Sequence, residues 1–227
     1  MAAAPPGTPA PKALSRSAII EKLNAVPTFA LLDPSKSVVS IQDGKGGESC
    51  SWYTDAEEAR RMLGVAREAN PEVALHLGVT PLGLAFSLVA GWSLTQSVAE
   101  QGVNLTLQGS SSIVASMASM LQQQLAAQGL DPGRWQLPVF CCDELQSASL
   151  LPMFLSRHDL VRAWIAAGHS REDVPENLTV MDLRVLVAQM QTDAFAWEIV
   201  EFVGSEDAAA LVQEAKQMAE EEPPPLE

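Results

Sequence analysis

The sequence predicts an α/β (α+β) fold made of two pseudo-symmetric lobes, each a small sheet with packed helices. Two observations lead to this prediction. Short apolar runs typical of strands alternate with amphipathic, helix-like segments along the chain. The segment Val-Pro-Thr-Phe at 26–29 also recurs as Leu-Pro-Val-Phe at 137–140, and each copy is followed by an aromatic strand and then a helix. A repeat of this size indicates an internal duplication.

The first half predicts four strands and four helices. A nearly continuous apolar run over 26–32 predicts a strand buried on both faces. Thr54 or Asp55 caps a helix that runs to residue 69 and exposes Glu57, Glu58 and its arginines to water. Pro81 opens a short apolar helix. The other predicted elements are a helix over 19–25, strands over 37–42, 50–54, 73–80 and 103–108, and a helix from the Ser110 cap to 128.

The second half repeats this order. Met153 to Ser156 predicts the aromatic strand, and Ser205 caps the last helix. The remaining predicted elements are strands over 137–142, 178–182 and 198–203 and helices over 157–167 and 183–192. Trp52 is aligned with Phe154, Phe29 with Phe140, and Gln108 with Val203. The spacing between copies changes only by loop-sized amounts, so the order of elements is kept throughout.

Four segments follow from this reading. Residues 19–130 form the first lobe and residues 131–219 the second. Residues 1–18 are rich in Ala, Pro and Ser and contain no acidic residue, which predicts a disordered leader or the remnant of a transit peptide. Residues 220–227 form an acidic, proline-rich tail that is not expected to fold.

The composition favours a soluble protein with neutral or basic partners. Of the 227 residues, 47% are hydrophobic and 19% charged, as in ordinary globular proteins. The formal net charge is -14, which disfavours nucleic acid and anionic membranes as partners. The longest apolar runs are too short to span a bilayer, so at most a peripheral membrane association is expected.

No set of residues predicts catalysis, a metal or a cofactor. His76, His158 and His169 lack metal-ligand spacing. Cys141 and Cys142 are adjacent on a predicted strand, so their side chains point to opposite faces and cannot hold one ion. We therefore predict a protein that is not an enzyme, with no catalytic residue, no metal ligand and no cofactor.

Apolar helix faces are the remaining candidates for function. Met117 and Leu121 lie on one helix, and Trp164 and Ile165 on a helix of the other lobe. Most such residues belong to a core. A thin two-lobed protein can also leave apolar grooves beside its sheets, and methionine makes such a surface adaptable. These four residues are the predicted partner-binding residues.

Several phrases resemble one known family. They are the segments over 23–29, 52–59 and 137–140, and Pro-Met-Phe-Leu-Ser-Arg-His-Asp-Leu over 152–160. In this order they resemble the 22-kilodalton subunit family of the chloroplast inner-envelope protein-import translocon (the Tic family), over about 23–215. The Cys141-Cys142 pair and the glutamine run 122–124 depart from that pattern.

The resemblance implies a chaperone-like component of chloroplast protein import. Such a protein binds preproteins or their transit peptides through apolar grooves, alongside translocon subunits, and resides in the envelope intermembrane space. An acidic surface suits basic transit peptides. The alternative is a structural or assembly subunit of another plastid complex with the same fold, in the stroma or associated with thylakoids.

Overall fold

Two small β-sheets with helices on both faces make up the protein in a computed structural model. The structure describes residue 7 and residues 9–42, 47–93, 103–175 and 178–221. Residues 1–6 and 8 of the predicted leader, and 222–227 of the predicted tail, lie outside that range. The mixed α/β class predicted from the sequence is confirmed.

The elements follow the predicted order, with most bounds shifted by one to three residues. The first half contains α1 (Arg16–Leu23), β1 (Pro27–Leu32), β2 (Ile41–Gln42), β3 (Glu48–Tyr53), α2 (Ala56–Ala69), β4 (His76–Pro81), α3 (Leu82–Val89), β5 (Asn104–Gln108) and α4 (Ser111–Ala127). The second contains β6 (Pro138–Cys141), β7 (Leu151–Phe154), α5 (Arg157–Ala166), β8 (Thr179–Asp182), α6 (Leu183–Met190), β9 (Val200–Val203) and α7 (Glu206–Glu221). The strand predicted over 37–42 is shorter, because only Ile41 and Gln42 pair with β3.

Both sheets have the same strand order. The first runs β4-β1-β3-β5, with β2 beside the start of β3, and the second runs β8-β6-β7-β9. In each sheet the first strand of the half is antiparallel to both its neighbours, and the last two strands are parallel. This correspondence supports the proposed duplication, which stays a prediction.

The alignment of the two halves differs from the predicted one at one strand. Phe29 pairs with Tyr53, and Phe140 pairs with Phe154, so Tyr53 rather than Trp52 corresponds to Phe154. A shift of one residue changes the face of the sheet. Accordingly, Trp52 lies in the central core, whereas Tyr53 packs on the outer face.

The two halves exchange their last helices. Ala208 and Leu211 of α7, the last helix of the second half, pack with Phe29 on the outer face of the first sheet. Met117 of α4, the last helix of the first half, packs with Phe140 on the outer face of the second sheet. Each sheet is therefore completed by a helix from the other half of the sequence. The boundary at residue 130 stays a prediction.

A shared core joins the inner faces of the sheets. Helices α1, α3 and α6 contribute Ile19, Phe86 and Leu186, which pack with Trp52 of the first sheet and Met153 of the second. The inward residues of β1 and β6 are small or medium in size, which leaves room for this helical layer.

Part of the predicted leader is ordered. Leu14 N–H donates to the Met190 carbonyl at 2.8 Å, and Ala13 N–H donates to Asp193 Oδ1 at 2.7 Å. Ser15 then caps α1 by accepting a bond from Ala18 N–H. The prediction of disorder is wrong for residues 12–18, because these backbone bonds to the second half offset the poor local signal for structure.

Candidate functional site

The four predicted partner-binding residues occupy different environments. Leu121 is fully buried, and Trp164 is 4% exposed in the cluster under α5. Met117 is half-buried over the same cluster. Ile165 is 46% exposed. Because α4 and α5 turn their apolar stripes toward the second sheet, only Ile165 offers a large surface, and its role in binding stays a prediction.

An open apolar groove lies instead on the first sheet, between strand β4 and helix α7. It encloses about 300 Å³. Val79 lies opposite Phe29 and Pro81 opposite Pro27 in the register, so both point to the outer face, where α7 packs. Val79 remains 39% exposed. This α7–β4 groove is lined by Pro27, Val79, Pro81, Ala209, Val212 and Gln213.

The sequence order explains why this groove is open. Pro81 ends β4 and precedes α3, and the outer helix comes from the far end of the chain. Residues Ala209 and Val212 face the sheet margin, and Ala209 is too short to cover Val79. A small residue opposite an exposed valine leaves a channel that another apolar side chain can fill.

A second cleft, of about 350 Å³, lies where four helices begin. The parallel pairs β3/β5 and β7/β9 end at this cleft, so the helices that follow them start together. Asp55, Glu57, Asp159 and Asp207 line it, with His158 at its rim. The N-cap of α2 is Asp55, and Ser110, Ser156 and Ser205 stand at the starts of α4, α5 and α7. We call this the four-helix cleft.

The carboxylates of the four-helix cleft are partly used by the protein itself. Asp55 accepts a bond from Glu58 N–H at 2.8 Å, as a helix cap. Burial raises the pKa of Asp159, and the nearby Asp207 carboxylate raises it further. His158 is the residue before Asp159, so the two do not form a catalytic relay. The cleft thus favours cationic groups, without the arrangement that catalysis needs.

Comparison with known proteins was decided by the sequence. Residues 2–216 match the Tic22-like family, which covers nearly the whole chain. The chain belongs to the Tic22-like family. The resemblance predicted from the segments over 23–160 is thereby confirmed. No curated protein matches the chain by sequence.

Two solved structures share the fold of this Tic22-like chain. "Tic22 from Plasmodium falciparum" is 16% identical with a TM-score of 0.58, covering 88% of this chain and 98% of that one. "Anabaena Tic22 (protein transport)" is 17% identical with a TM-score of 0.56, covering 94% and 100% respectively. At these identities the similarity shows the fold alone.

The cysteines of this Tic22-like chain are structural. Cys141 faces the central core and Cys142 the outer cluster, which confirms the predicted divergence. Burial raises the pKa of each thiol to about 11, so both are protonated at neutral pH and react poorly. Within the described ranges, no group of three or more His, Cys, Asp or Glu residues could hold a metal ion.

Glu58 corrects a prediction that placed it in water. It is 8% exposed, because the start of α4 lies over it. Its carboxylate accepts bonds from Arg61 Nη2 at 2.6 Å, from Gln108 Nε2 at 3.2 Å and from the Ser111 hydroxyl. These contacts fasten α4, which packs on the second sheet, to α2 on the first. The periodicity of α2 gave no sign of this, because the partners lie about fifty residues away.

Neutralising Glu58 is expected to destabilise the protein in a pH-dependent way. The Arg61 guanidinium, together with Ser111 and Gln108, lowers the pKa of Glu58. Its contribution is therefore present above the unfolded-state pKa of about 4.3 and is lost as the pH falls through the folded-state pKa. Glu58→Gln should lower the free energy of unfolding by about 1–3 kcal/mol at pH 7, measured by urea unfolding. The exposed Glu57→Gln is the control, and an equal loss from Glu58→Gln at pH 3 would contradict the argument.

Proposed function

We propose that this chain is a chaperone-like factor of plastid protein import that holds preproteins in transit by apolar contact. Membership of the Tic22-like family supports a role in protein transport, which is also the printed description of the Anabaena structure. It favours such a role over catalysis. The open α7–β4 groove is the observation that carries the binding part of the proposal.

The groove suits a segment of unfolded chain. Its lining from Pro27, Val79 and Val212 is apolar, and such segments expose apolar side chains before they fold. The net charge of -14 and the acidic four-helix cleft favour the basic residues of a transit peptide. In the ranges that the structure describes, no helix combines the length and apolar character that crossing a membrane requires. We place the protein at the chloroplast envelope, in the intermembrane space, next to translocon subunits.

A charge in the groove is the direct test. Ala209→Asp places a carboxylate against Val79 and Val212, where it would have to be desolvated by a bound apolar segment. We expect the affinity for a fluorescein-labelled preprotein, diluted from urea, to fall at least about tenfold by anisotropy. Ala210→Asp is the matched control, since it adds the same charge to an exposed neighbouring position outside the groove.

Both variants keep the core intact, because Ala209 and Ala210 are exposed. Circular dichroism and thermal unfolding should therefore not separate them from the parent protein. Equal preprotein affinity in the two variants would overturn the groove as the binding site. Association with photosynthetic complexes rather than translocon subunits, in pull-downs from plastids, would favour the alternative role.

A further inference from the structure

We infer that the free edge of strand β4 binds an extended polypeptide segment by strand addition. The inference rests on the proposed function, because the edge forms one wall of the α7–β4 groove. It adds the binding mode: backbone hydrogen bonds to the edge, with alternate side chains of the segment in the groove.

The pairing of β4 with β1 determines which backbone groups face outward. Leu82 N–H donates to the Val26 carbonyl at 2.8 Å, and the register continues as Thr28 with Thr80 and Ala30 with Gly78. In an antiparallel pair, hydrogen-bonded and non-hydrogen-bonded positions alternate. The even-numbered residues of β4 therefore bond to β1. Their odd-numbered neighbours point their N–H and C=O groups away from it.

Those outward groups belong to Leu77 and Val79, with a further carbonyl from Pro81. Among the described residues, no hydrogen bond from α7 reaches this edge, and Val79 is exposed. Proline has no N–H, so Pro81 offers only an acceptor. The edge thus presents two donors and three acceptors at the spacing of a β-strand.

The corresponding edge of the second sheet is occupied by an amide. Gln124 of α4 donates from Nε2 to the Val180 carbonyl at 2.9 Å and accepts from Asp182 N–H at 3.0 Å through Oε1. Val180 pairs with Phe140 as Val79 pairs with Phe29, so the two edges match position by position. A glutamine amide has the donor and acceptor of a peptide bond. It fills on β8 the place that is open on β4.

An unfolded segment is the occupant that fits. Strand addition needs successive peptide groups in an extended conformation, which a folded surface or a helix does not offer. Alternate side chains of the segment would then lie beside Val79, Ala209 and Val212 on the outer face. Segments with apolar residues at every second position, and without proline, should bind best.

Removal of one outward donor tests the mode. Val79→Pro deletes the outward N–H and keeps an apolar side chain of similar size; proline is tolerated on an edge strand where its nitrogen faces solvent. We expect the affinity for the labelled preprotein to fall about tenfold or more. Val79→Ala keeps the N–H and is expected to lose less than about threefold.

Hydrogen exchange on the unmodified protein gives an independent readout. Adding the unlabelled preprotein should slow exchange of the Leu77 and Val79 amides, with little change at Val180, whose edge is closed by Gln124. Unchanged exchange at Leu77 and Val79, while Ala209→Asp still weakens binding, would overturn strand addition and leave the groove in place. Normal binding by Ala209→Asp would overturn the proposed function itself.

Discussion

Dividing the chain after residue 130 is expected to abolish the cooperative folding of both fragments. Fragment 19–130 would lose Ala208, Leu211 and Val212 of α7 from the outer face of its sheet, and would expose the apolar side of α4. It would also lose its half of the central core. Burying one large apolar side chain contributes about 1.5–3 kcal/mol. Loss of several exceeds the roughly 5–15 kcal/mol that stabilises a whole domain.

Urea unfolding followed by tryptophan fluorescence and circular dichroism measures this effect. Neither fragment alone should show a cooperative transition, whereas co-expression of 19–130 with 131–219 should restore one near the midpoint of the intact chain. The comparison also tests the predicted domain boundary. A single fragment that unfolds cooperatively on its own would mean that the exchanged helices contribute little.

The order of elements could be predicted from the sequence because its signals are local. Asp55, Ser156 and Ser205 each accept a bond from a backbone N–H in the first turn of the next helix, as their positions before apolar stripes predict. Pro81 at the junction of β4 and α3 is equally local. Such features depend on neighbours within four residues.

Features set by distant partners could not be predicted in the same way. Trp52 and Tyr53 are both aromatic, so composition alone did not determine which one corresponds to Phe154; pairing with Phe29 does. The exchange of α4 and α7 leaves no local trace, since an apolar stripe shows that a helix is covered but not by which sheet.

The candidate site follows the same division. Met117, Leu121 and Trp164 were selected as apolar residues at helical spacing, which is the signature of a core face, and the core is where Leu121 and Trp164 lie. Gln124 belongs to a run that looked like a departure from the family pattern, yet its amide closes the β8 edge. Its role depends on a strand about fifty-six residues away. The α7–β4 groove likewise exists only because the two halves meet.

Replacing Trp164 is expected to give the largest loss of stability from a single substitution considered in this protein. Its indole is 4% exposed in the cluster of Phe140, Phe154 and Leu160, and its Nε1–H donates to the Ser170 carbonyl at 2.8 Å. The ring also stacks on His169, with centroids 4.0 Å apart. Trp164→Ala leaves a cavity and an unpaired carbonyl, so the free energy of unfolding should fall by about 3–5 kcal/mol.

Ile165, the next residue on α5, provides the matched control. It is 46% exposed, so Ile165→Ala should change the free energy of unfolding by less than about 0.5 kcal/mol. Equilibrium urea unfolding and preprotein anisotropy on both variants separate packing from binding. Trp164→Ala should lose stability and, where it is still folded, bind preprotein with unchanged affinity, since the α7–β4 groove lies on the other sheet. Full stability with weakened binding would instead place Trp164 on a partner surface, because only a side chain that is free to contact the preprotein can affect its affinity without affecting the fold.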